Sequence, residues 1–188
     1  MRVLSLFLPP FISAVSCNMK KLIDSHIRSV YLKPGDVLVT CEPVLVSTVL
    51  GSCVAVTMFS ASRGFAAICH AMLPDNSGRE SDLRYVDTAL QYLYKKVREH
   101  DAGNDLVIKL FGGAQVLNSP EMVPDRGTVG DQNVARAEAV LASLGLRVSA
   151  RDTGGMRGRK LFFCTGTGDV FMRRMRANNH STCKDTIQ

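Results

Sequence analysis

"CVAVTMFSASRGFAAICHAML", residues Cys53 to Leu73, decides how the rest of the chain is read. Two apolar runs rich in β-branched and aromatic residues flank the polar stretch Ser60 to Gly64, and short apolar runs bounded by turn residues read as strands. The polar stretch has the length of a hairpin loop, so the two strands are expected to be antiparallel neighbours. Such a hairpin lays the start of its first strand beside the end of its second. Cys53 begins one and His70 ends the other, so a thiol and an imidazole are brought close by the turn alone.

Working outward, "VLVTCEPVLVST" (from Val37) adds strand signal before the hairpin, and "LVIKLFGGAQV" (from Leu106), "RVSARDTGG", "KLFFC" and "VFMRRM" add it after. Between them, Leu83, Val86, Leu90, Leu93 and Val97 recur at helical steps and form one apolar stripe, with Ser81 or Asp82 as the expected N-cap. A second helix is expected from about Asp131 to Leu144 on Val134, Ala137, Leu141 and Leu144. Strands and two main helices in one core give an α/β or α+β class, a layered sandwich of mixed β-sheets with the helices packed on one side. At 188 residues a single domain is expected.

Composition narrows the function classes. Hydrophobic residues make up 46% of the chain and charged residues 21%, with no apolar run long enough to span a membrane, so membrane insertion is not expected. The formal charge of +6 gathers late, at Arg147, Arg151, Arg157, Arg159, Lys160, Arg173, Arg174 and Arg176. No nucleic-acid motif or stacking aromatics accompany it, so it reads as a solvated face. The six cysteines form no C-x-x-C pair and no zinc-spaced cluster; neither metal nor disulfide framework is expected, and free thiols fit a reducing, cytoplasmic setting. Residues 1 to 18 imitate a secretion signal poorly, with one arginine, a Pro9-Pro10 break and no clean cleavage site, and Met19 is an alternative start to the domain. Residues 177 to 188 read as a polar tail.

A buried cysteine is ordinarily a small hydrophobe, and a strand histidine is ordinarily satisfied by a carbonyl. Together in this hairpin they suggest more. An imidazole beside Cys53 can take the thiol proton and lower its pKa, and the Gly51-Ser52 turn can aim backbone amides at one point, the geometry that holds an oxyanion. A third group would orient His70: Thr48 or Ser47 on the incoming strand, or the carboxylates Asp75 and Asp82. "FGGA", "TGG" and "TGTG" match no phosphate-binding pattern and read as turns, the first two also able to let backbone approach closely.

"TVLGSCVAV", "CHAMLPD", "RYVDTAL", "KLFGGAQV", "VGDQNV" and "DTGGMRGRKLFF", in this order from about Val37 to Arg174, resemble the chemoreceptor glutamine deamidase family CheD. The resemblance implies a bacterial cytoplasmic enzyme, needing no cofactor, that converts glutamines of methyl-accepting chemotaxis receptors to methylatable glutamates. It places the nucleophile on Cys53, the histidine on His70 and the third catalytic residue on Thr48, with Ser47 as the alternative; Gly51 and Ser52 flank the site. It also implies a fold similar to the deamidase domain of cytotoxic necrotising toxins, and a CheC-type phosphatase as a second partner. A different class stays open beside it: a non-catalytic adaptor docking on receptors or on such a phosphatase.

Overall fold

The computed structural model describes residues 27–76, 82–115 and 127–175. Along the chain run β1 (Ser29–Tyr31), β2 (Val37–Thr40), β3 (Leu45–Leu50), β4 (Val54–Ser60), β5 (Phe65–Ala71), α1 (Val86–Glu99), β6 (Val107–Gly112), α2 (Val129–Ser143), β7 (Val148–Thr153), β8 (Arg159–Cys164) and β9 (Val170–Arg174). The fold is α+β. A four-stranded sheet has the order β1-β3-β8-β9 and a five-stranded sheet the order β2-β5-β4-β6-β7, each mixing parallel and antiparallel pairs.

The central hairpin forms in the expected register, with Ser60 opposite Phe65 and Ala55 opposite His70. Its two strands are apolar almost throughout because both their faces are covered. Val54, Val56, Met58, Phe65, Ala67, Cys69 and Ala71 face a core shared with Leu90 and Leu93 of α1 and Ala137 and Leu141 of α2. Ala55, Ala66 and Ile68 face a second core shared with Val46, Leu50, Leu161 and Phe163 of the other sheet. The molecule is therefore three layers deep: helices, five-stranded sheet, four-stranded sheet. Period-two alternation makes each strand residue choose one core or the other.

Several local expectations change. "VLVTCEPVLVST" divides between the two sheets: β2 pairs with β5, while β3 pairs with β1 and β8 across the sandwich. The break falls at 41–44, where Glu42 and Pro43 interrupt the apolar pattern. Helix α1 takes Tyr85 as its N-cap, without a side-chain cap bond. The Asp82 carboxylate instead accepts from the Arg84 backbone and guanidinium, and Ser81 lies outside the described residues. Helix α2 starts earlier than Asp131, because Thr128 and Asp131 close a capping box that fixes its first turn. The basic stripe is partly structural as well. Arg159 is fully buried and donates to the Asp152 carboxylate at 2.7 Å and to the Asp152 and Gly154 carbonyls, and Arg174 donates to the other Asp152 oxygen. Residues 1–18 and 177–188 lie outside the described residues, and no described helix is long and apolar enough to cross a membrane.

Candidate active site

Alternation along β3 sends Val46, Thr48 and Leu50 into the core between the sheets and Ser47 to the opposite face. Alternation along β5 sends His70 into the same core, after Ala66 and Ile68. Thr48 and His70 therefore meet from opposite sheets: Thr48 Oγ1 lies 2.8 Å from His70 Nδ1, and both residues are almost wholly inaccessible to water.

The hydrogen-bond network settles the tautomer. Thr48 Oγ1 donates its one proton to the Leu32 carbonyl at 2.8 Å, so it can act toward His70 only as an acceptor. Nδ1 must then carry the proton and donate to Thr48, which leaves Nε2 as the free lone pair. Nε2 is buried and has no hydrogen-bond partner among the described residues. In this tautomer Nε2 carries the basic lone pair of a neutral imidazole. Burial is also the main influence on its pKa, which lies below the usual 6.5; the Leu32 carbonyl and the Asp36 charge oppose the shift without reversing it.

Cys53 sits immediately before β4, half-buried, and packs on the core between the sheets. It lies two residues before Ala55, the direct partner of His70, so the two side chains are diagonal neighbours on one sheet face, a spacing of about 7–8 Å between such residues. Burial raises the thiol pKa above its ordinary 9.0, and the cysteine's own backbone amide pulls weakly the other way. Burial thus favours the neutral form of both the thiol and the imidazole.

The loop carrying Cys53 is held by backbone. The Ala114 amide donates to the Gly51 carbonyl and the Gly113 amide to the Cys53 carbonyl, each at 2.8 Å. Gly112 and Gly113 make this approach possible. A Cβ on Gly112 would overlap the Cys53 carbonyl oxygen, and Gly112 and Gly113 hold φ of 114° and 70°. The "TGG" turn joins the same scaffold, since the Gly154 amide donates to the Gly112 carbonyl at 2.9 Å and buried Arg159 holds Gly154 in turn. The amides of Ser52 and Cys53 donate to no other described residue. Free amides at such a turn can accept developing negative charge.

Of the residues singled out from sequence, Thr48 and His70 are in contact, Cys53 packs on the core that both enter, and Gly51 and Ser52 form the turn before the thiol. Ser47 does not reach the imidazole. Asp75 pairs with Arg136 at 2.8 Å and Asp82 with Arg84. Among the described residues no cluster of His, Cys, Asp and Glu could hold a metal. One residue escaped the sequence analysis: Asn133 of α2, fully buried, donates from Nδ2 to the Ser52 carbonyl at 3.0 Å and the Met72 carbonyl at 2.9 Å. Its signal was present, since Asn133 lies with Gly130, Ala137, Val140 and Leu141 on the buried side of its helix, where a polar side chain requires a reason.

Comparison with known proteins points the same way. Residues 72–174 match the family model described as CheD chemotactic sensory transduction. A probable chemoreceptor glutamine deamidase CheD 2 of Geobacter sulfurreducens is 46% identical over 147 residues, 78% of this chain and 89% of the relative. A probable chemoreceptor glutamine deamidase CheD of Maridesulfovibrio salexigens is 42% identical over 160 residues, 80% of this chain and 94% of the relative. The corresponding protein of Pyrococcus abyssi is 37% identical over 153 residues, 79% of this chain and 93% of the relative. The family model begins after the hairpin, but a matched stretch of 147 residues in a chain of 188 must include Cys53 and His70. With a family-model match over more than half its length and relatives matched nearly end to end, this chain belongs to the CheD family.

Proposed function

We propose that this chain is a protein-glutamine deamidase acting on the cytoplasmic domains of chemoreceptors, with Cys53 as nucleophile, His70 as acid and base, and Thr48 holding His70. The observation that carries the reading is the Thr48–His70 contact, which fixes Nδ1–H and leaves Nε2 bare on the sheet face that Cys53 shares. In the first half-reaction the Cys53 proton passes to Nε2 as Sγ bonds to the glutamine Cδ. The carbonyl oxygen, now negative, is held by the Cys53 amide with help from Ser52. The imidazolium returns its proton to the amide nitrogen, the C–N bond breaks and ammonia leaves a thioester. In the second, water gives a proton to Nε2 and attacks the thioester, and the thiol leaves with that proton, releasing glutamate. No step calls for a metal or cofactor.

The test is mass spectrometry of a chemoreceptor cytoplasmic fragment after incubation with the protein. Conversion at defined glutamines is expected. Stable binding of the fragment with every glutamine intact would overturn the enzyme in favour of the adaptor.

Within this reading Thr48→Val, close in shape but without the hydroxyl, strands a buried N–H. An unsatisfied buried donor costs about 1–3 kcal/mol, so turnover should fall by roughly tenfold to a hundredfold. Ser47→Ala, on the other face, should leave it unchanged; the reverse ranking in a steady-state deamidation assay would transfer the role to Ser47.

A further inference from the structure

The mechanism uses nothing from α2, yet one side chain of that helix reaches the peptide bond on which the chemistry turns. We propose that Asn133 is a positioning residue that sets the oxyanion-holding amide of Cys53, by gripping the Ser52 carbonyl at the other end of the same peptide plane.

The geometry is simple. Three successive carbonyls are tied down: Gly51 by the Ala114 amide, Ser52 by Asn133 Nδ2, and Cys53 by the Gly113 amide. In a trans peptide the C=O and the next N–H point in opposite directions from one rigid plane. Pinning the Ser52 carbonyl toward α2 therefore turns the Cys53 N–H away from α2, and that amide donates to no other described residue.

The two outer ties run from backbone to backbone, but the middle one is made by a side chain, that of Asn133. Its orientation is fixed, because both partners are carbonyl oxygens that can only accept, so the NH2 group must face them. A buried helix position on a stripe otherwise of small and apolar residues would be better filled by an aliphatic side chain if packing were its whole purpose. The second bond, to the carbonyl of Met72 just past the end of β5 and two residues beyond His70, anchors the same side chain and stiffens the grip.

The inference rests on Cys53 being the nucleophile, and its test uses two probes that differ in whether an oxyanion forms. Acetylation by p-nitrophenyl acetate makes an Sγ–C bond at a carbonyl, passes through an oxyanion and expels p-nitrophenolate. Alkylation by iodoacetamide makes an Sγ–CH2 bond, expels iodide and forms no oxyanion. Rates at Cys53 are read by peptide mapping, with Cys53→Ala as background, on wild type, Asn133→Ala and Asn133→Ser, each checked for a cooperative thermal melt. Acetylation should fall by about tenfold to a hundredfold, less than the roughly 100- to 1,000-fold typical of removing an oxyanion donor outright, while alkylation and the pH dependence of both rates stay as in wild type. An equal fall in both rates would mean that Asn133 places the thiol or His70 instead, and overturns the proposal. So would unchanged acetylation, or loss of the cooperative melt in both variants, which would make Asn133 a core-forming residue. A wild type that leaves receptor glutamines intact but shows the split between probes would overturn the proposed substrate and keep this inference.

Discussion

Cys53→Ala should abolish conversion of receptor glutamines while leaving a folded protein. The side chain is half-buried and packs on the core between the sheets, so losing one sulfur atom costs stability on the order of 1 kcal/mol, comparable with one buried methylene. Chemistry has no such tolerance. Neither Cys41, exposed on the loop between β2 and β3, nor the buried Cys69 and Cys164 can stand in for it. Cys69 points into the helix-side core, and burial pushes its thiol up to about 11. Cys53→Ser should be nearly as inactive, because His70 is a weak neutral base in a buried setting, able to take a proton from a thiol during attack and far less able to take one from an alcohol. Mass spectrometry of the receptor fragment over long incubation is the measurement, with Cys69→Ala as the comparison. Full conversion by Cys53→Ala, or loss of conversion confined to Cys69→Ala, would remove Cys53 from the mechanism.

The hairpin was legible because its information is local: a turn of fixed length and two apolar runs give the register without reference to the rest of the chain, and with it the nearness of Cys53 to His70. The third residue was not legible for the opposite reason. Whether Thr48 or Ser47 faces the imidazole depends on which sheet β3 joins, and its partner β8 lies more than a hundred residues later. Without that pairing the alternation of β3 has no reference direction, and "VLVTCEPVLVST" gives no sign that its two halves belong to different layers. Arg159 was misplaced on a solvated face because a basic residue among basic residues looks exposed. In the fold it is buried and held by the Asp152 side chain and the Gly154 carbonyl, with β7 and β8 in different sheets. The glycine pairs, readable as turns, acquire their purpose from a contact across the fold: Gly112 is bare so that the Cys53 carbonyl can sit against it.

His70→Asn should lower turnover by about a hundredfold to ten-thousandfold, the usual worth of a positioned acid–base group, and should also change the shape of the pH profile. Under the proposed mechanism the reactive pair in the wild type is neutral thiol and neutral imidazole, the forms that burial favours. Because burial holds the imidazole below 6.5, the base form is present from below neutrality upward; activity is lost as pH falls through that depressed value and His70 becomes charged. Because burial holds the thiol above 9.0, the neutral pair persists to alkaline pH. A broad plateau between those limits is expected, with its acid limb set by His70. In His70→Asn no base remains to take the proton, so attack must come from thiolate that has ionised unaided. The acid limb should vanish, and the residual rate should climb with pH through the thiol's own ionisation above 9.0. Full kinetic profiles of both proteins decide it. A variant that keeps the wild-type acid limb would show that the titrating group is elsewhere, and one that keeps wild-type turnover near neutrality would mean that the Thr48–His70 pair only joins the two sheets.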